Sequence, residues 1–83
     1  LGIVVEILRE AKKYRENREW EKVIIFSEFV INTIEKFLFE DKNAYMPFLE
    51  AVNSWLVGYN HLGEFMAEHE YIVKAKELSE NLK

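Results

Sequence analysis

Apolar residues between Trp20 and Phe39 cover more of a helical wheel than a single packing partner can bury. At about 100° per residue, Trp20, Val23, Ile24, Phe26, Val30, Ile31, Ile34, Phe37 and Leu38 share one broad sector. Glu21, Lys22, Glu28, Asn32, Thr33, Glu35 and Lys36 fill the opposite sector, with Ile25, Phe29 and Phe39 set among them. The pattern predicts a central helix over 19–40, touched by neighbours on two sides, with a few apolar residues left over.

The flanking segments supply those neighbours. Val4, Ile7, Leu8, Ala11 and Tyr14 form a narrow stripe that predicts a helix over 3–16. Asn17 and Arg18 interrupt it so briefly that the next helix must run back antiparallel. Asp41, Lys42 and Asn43 offer turn and capping chemistry, and Pro47 falls in a first turn, where a missing N–H costs little. Ala44, Tyr45, Phe48, Val52, Trp55, Tyr59, Leu62 and Met66 then hold one face over 44–67. That phase runs through Gly58 and Gly63, which read as points of close helix approach more than as breaks. Tyr71, Ala75, Leu78 and Leu82 lie more than about 100° from this stripe, so a turn at 68–70 and a fourth helix over 70–82 are expected. A break at Leu62–Gly63, or three helices with one long last helix, are the alternatives. With no strand alternation in view, the fold expected is all-α: one domain over 1–83, four antiparallel helices in an up-down bundle of hairpins.

Composition sharpens the picture. The 83 residues include two Trp, four Tyr and six Phe, a heavy aromatic load for a domain of this size to place in a core or an interface. Cysteine is absent, which removes disulfides and thiolate metal sites. The net charge of −4 comes from interleaved acids and bases, so the cationic face that nucleic acid requires is missing. Neither a signal-peptide pattern nor a run of about 18 apolar residues is visible. A cytoplasmic setting without membrane insertion is the expectation.

Two sets of residues carry family resemblances. Ala11, Tyr14, Trp20, Val23 and Val30 match the small, aromatic, aromatic, small and small positions of a tetratricopeptide hairpin, with Val23 larger than that template asks. Tyr59, Leu62, Gly63, Phe65, Ile72 and Ala75 fit it again 45 residues on, with Glu68 where Ala is usual. The period exceeds the usual repeat of about 34. The chain thus resembles a tetratricopeptide-like module. Glu70, Tyr71, Lys74, Ala75 and Leu78 resemble the last helix of the MIT domain, a module for membrane-remodelling filament proteins, although the stretch from Glu40 to Tyr71 is longer than that family's. Either resemblance implies a groove between helices that accepts a partner's helix or peptide.

Candidate chemistry is sparse. His61, Glu64 and Glu68 recur at one-turn spacing, but structural zinc takes four ligands and di-iron bundles use paired Glu-x-x-His, so a solvated face is the reading and neither metal nor cofactor is expected. His69, at a predicted turn, reads as a surface or capping residue. No Ser or Cys nucleophile stands beside a His and there is no phosphate loop, so an enzyme is not expected. Trp55 and Tyr59 read as core. Ile25 and Phe29, one turn apart in a polar sector, are either covered by a neighbouring helix or exposed as an anchor pair; Asn32, Thr33 and Lys36 extend the same face. The expected function is a non-catalytic protein–protein interaction module that binds a partner helix, a peptide or a second copy through Ile25, Phe29, Asn32, Thr33 and Lys36, with a homodimer among the outcomes. A purely structural domain of a larger protein, an MIT-like adaptor and a small-molecule-binding bundle are the alternatives.

Overall fold

The computed structural model describes residues 2–38, 40–66 and 68–81. Within them are four helices, α1 (Gly2–Glu16), α2 (Trp20–Ile34), α3 (Tyr45–His61) and α4 (Glu70–Asn81), and no strand. Phe39, Ala67 and Leu82, which the apolar pattern places in helices, lie outside the described residues.

α1 turns its narrow apolar edge inward, burying Val4 and Ala11. It runs antiparallel to α2, so that Tyr14 near its end stacks on Phe26 with ring centroids 5.2 Å apart. The connection is as short as the pattern requires. The Glu19 N–H donates to the Tyr14 carbonyl at 2.9 Å and the Arg18 N–H to Arg15 at 3.1 Å, while Arg18 adopts φ 60. This closes α1 with the two bonds of a Schellman cap, although Arg in place of Gly carries a left-handed penalty of about 1 kcal/mol.

α2 and α3 share the largest interface. Ile31, Ile34, Phe48, Val52 and Trp55 pack together in the common core with almost no exposure, and each such side chain contributes about 1.5–3 kcal/mol relative to leaving it in water. The helices are antiparallel: Trp20 at the start of α2 meets His61 at the end of α3, their rings stacked at 3.9 Å and 4°. Gly58 permits the approach, since a Cβ there would stand 2.8 Å from Ile24 Cγ1 and 3.3 Å from the Trp20 carbonyl oxygen.

Two boundaries differ from the sequence pattern. α2 is regular only to Ile34; a 3-10 turn over Glu35–Phe37 follows, tightening the last turn as helix ends commonly do and bringing Leu38 into the core. The Asp41 carboxylate then accepts from the Asn43 N–H at 2.9 Å, capping a second 3-10 turn, Lys42–Ala44, that leads into α3. At its other end α3 stops at His61, not at 67. Gly63 has φ +85, Glu64 N–H bonds Tyr59 at 2.9 Å and Gly63 N–H bonds Asn60 at 3.1 Å, which is again a Schellman cap. Gly58 is therefore the close approach and Gly63 the stop. The apolar phase of Leu62 and Met66 continues past the point where the backbone leaves the helix.

α4 begins where His69 Nδ1 accepts the Tyr71 N–H at 3.1 Å, so His69 is a cap. Ile72 is buried against the common core. No helix among the described residues is long and apolar enough to cross a membrane.

Candidate functional site

The five residues singled out on the central helix divide between two environments. Ile25 is 63% exposed and Phe29 53% exposed, so none of the chain's own described helices covers them. Thr33 is half-buried and spends its hydroxyl locally, Oγ1 donating to the Phe29 carbonyl at 2.8 Å. Lys36 is exposed, its Nζ 5.5 Å from the centroid of the Phe37 ring. Asn32 faces the other way along the helix: its Oδ1 accepts the Tyr71 hydroxyl at 3.1 Å. Ile25, Phe29, Thr33 and Lys36 form an outer strip, and Asn32 belongs to the joint with α4.

Beside Phe29 the strip opens into an apolar groove of about 500 Å³, lined by Ile3 and Val4 from the start of α1, by Phe29, Thr33 and Ile34 from the end of α2, and by Phe37 from the 3-10 turn after it. The antiparallel pairing of α1 and α2 makes it, because it leaves the first turn of α1 beside the last turn of α2. Ile3 is 74% exposed and Phe37 41%. The apolar pattern points to neither for this role, since it places Phe37 in the core sector and leaves Ile3 out of the α1 stripe. Ile3 lies at the edge of that stripe, about 20° round the helix from Tyr14, so its phase gives no sign of its exposure.

On the opposite side of that strip, Glu28, Asn32 and Glu35 recur at one-turn spacing and fasten α2 to the second hairpin. Trp55 Nε1 donates to Glu28 Oε1 at 3.0 Å, Tyr71 to Asn32, and Lys74 Nζ to Glu35 Oε1 at 2.6 Å. The Trp55 ring, itself 1% exposed, contacts Tyr59, His69 and Tyr71 at centroid distances of 4.8, 4.7 and 5.3 Å. With Trp55 fully enclosed, these rings are a packed joint and not an open cage for a cation. Burial, followed by the negative charge of Glu28, pushes the phenols of Tyr59 and Tyr71 above their ordinary value. Both therefore stay protonated as hydrogen-bond donors through neutral pH.

A cavity of about 610 Å³ lies between α1 and α3 beside the Trp20–His61 stack. Lys12 and Arg15 line it together with Glu16 and Glu50, so its charges offset one another and select no ion. His61 is the last residue of α3, and the chain turns after it. Glu64 and Glu68 are consequently not one and two turns further along its helix. Among the described residues, no group of three or more His, Asp or Glu side chains is placed to hold a metal ion.

Compared with protein-family models, curated proteins and solved structures, the chain matches none of them. Of the residues that carry the tetratricopeptide resemblance, Ala11, Tyr14, Trp20, Val23 and Val30 lie in or beside the α1–α2 hairpin. Leu62, Gly63 and Phe65 lie in the connection between α3 and α4.

Proposed function

We propose that this chain is a non-catalytic protein-interaction module whose outer α2 strip and adjoining groove take a helix or peptide. One observation carries the reading: Ile3, Phe29 and Phe37 remain exposed around a single groove, with Ile25 exposed one turn before Phe29, although the domain has a core well able to bury aromatics. Scattered apolar residues on a surface need no explanation, whereas a contiguous set rimmed by charge marks an interaction face. Its anatomy suits helix-in-groove recognition, with aromatic and branched anchors at one-turn spacing and a hollow beside them.

The test compares the wild-type chain with Phe29→Asp, following binding to a library of designed amphipathic helices and, by light scattering across a concentration series, self-association. Binding or dimerisation should disappear. Because Phe29 is more than half exposed, helicity and the urea midpoint should change by no more than about 0.5 kcal/mol in stability. Loss of folding in this variant would return Phe29 to a structural role and sink the proposal.

A further inference from the structure

Lys22, Phe29 and Lys36 stand seven residues apart. Lys22 and Phe29 are two helical turns apart, about 10 Å along the axis of α2 and within about 20° of one line, and Lys36 follows in the 3-10 turn that continues from α2. Ile25 and Thr33 flank Phe29, each about 40° to one side of that line. The strip thus has an apolar centre and a cation at either end.

Neither cation is firmly committed within the chain. Lys22 pairs with Glu19 at 3.1 Å and its Nζ lies 5.1 Å from the centroid of the Tyr14 ring, but its side chain is more than half exposed, and such surface contacts are easily exchanged for others. Lys36 has no carboxylate partner among the described residues; its contact is the Phe37 ring. The acids on the α4 side are engaged elsewhere, Glu28 by Trp55 and Glu35 by Lys74. Glu21 lies about 80° round the helix from Phe29.

A second copy meets this strip badly. Laid antiparallel about Phe29, it sets Lys22 against Lys36 of the other chain at both ends; laid parallel, it sets each lysine against itself. Like charges placed opposite one another act against the pairing. We infer that the occupant is a helix of a different protein, with an apolar stripe at heptad spacing and Asp or Glu at both ends of it. This rests on the reading of the strip and groove as a docking face, and adds to it the charge of the partner. With the whole chain at −4, attraction to an acidic helix has to come from these two side chains and not from the net field.

The experiment titrates the full chain into three labelled designed helices that share leucines at heptad spacing and carry Glu, Gln or Lys at both ends, read by fluorescence anisotropy. The Glu-ended helix should bind at least about tenfold more tightly than the Lys-ended one in about 50 mM salt, and the gap should shrink in about 500 mM salt. The double variant Lys22→Glu/Lys36→Glu should reverse the order. If all three helices bind alike and all lose affinity with Phe29→Asp, the docking face stands and the acidic partner is overturned. If none binds and light scattering finds a dimer dispersed by Phe29→Asp, a second copy is the occupant and the acidic partner is again overturned. If none binds and the chain is a monomer, the docking face falls and the acidic partner with it.

Discussion

Ser27 brings a hydroxyl to the centre of the core. It is fully buried on α2, and its Oγ has no hydrogen-bond partner among the described residues. A buried polar group left unpaired is destabilising, and Ala is the better helix former. Ser27→Ala should therefore raise stability by about 1 kcal/mol, read as a higher urea midpoint with an unchanged slope; a lower midpoint would mean that the hydroxyl is bonded after all. Single residues also show where the sequence is legible. Ile25 and Phe29 stand out because they break a polar sector, and that needs only the period of α2. Asn32 sits beside them on the same wheel and looks equally available. Its bond to Tyr71 depends on where a helix 39 residues away comes to rest, which no local period encodes. Ser27 itself lies in the apolar sector, where burial can be inferred but the lack of a partner cannot.

At the scale of the element, the two glycines near the end of α3 separate packing from termination. Adding a methyl at Gly58 forces a 2.8 Å contact with Ile24 Cγ1, an atom fixed close to the α2 backbone. Gly58→Ala should destabilise by about 1–3 kcal/mol through overpacking, partly offset by about 1 kcal/mol of better helix propensity. Ile24→Ala removes the atom that is struck. In thermal unfolding the double variant should lose less than the sum of the two single variants, and strict additivity would show that the crossing of α2 and α3 does not depend on this contact. At Gly63 a Cβ would meet nothing within 4 Å; the constraint there is the positive φ. The same residue type thus answers two demands, steric at one site and conformational at the other. Local sequence cannot tell them apart, because the apolar phase of α3 persists through Leu62 and Met66 after the backbone has already turned.

For the molecule as a whole, the four-helix, all-α architecture follows from periods and short connections, but the attachment of α4 follows from polar contacts made across the fold. Tyr71 reaches Asn32 and Lys74 reaches Glu35, so α4 is tied to the central helix by polar side chains 39 residues apart in sequence. Tyr59 and Tyr71 both have pKa values raised above 10.0, chiefly by burial and then by Glu28, with Glu64 acting on Tyr59 and Glu35 and Glu70 on Tyr71. A folded-state pKa above the unfolded one means that the unfolded chain releases these protons first as pH rises. The contribution of each phenol is complete below about pH 10 and is lost as pH climbs through the folded value. Ionised Tyr71 can no longer donate to Asn32 and meets the carboxylates of Glu28, Glu35 and Glu70. The urea midpoint should accordingly fall as pH rises above about 10. The deciding comparison is with Tyr59→Phe/Tyr71→Phe, which keeps both rings and removes only the hydroxyls. If the double variant shows a smaller alkaline loss than the wild type, the phenols carry the pH dependence; if the two lose equally, the phenols do not carry it, and the attachment of α4 does not depend on these hydroxyls.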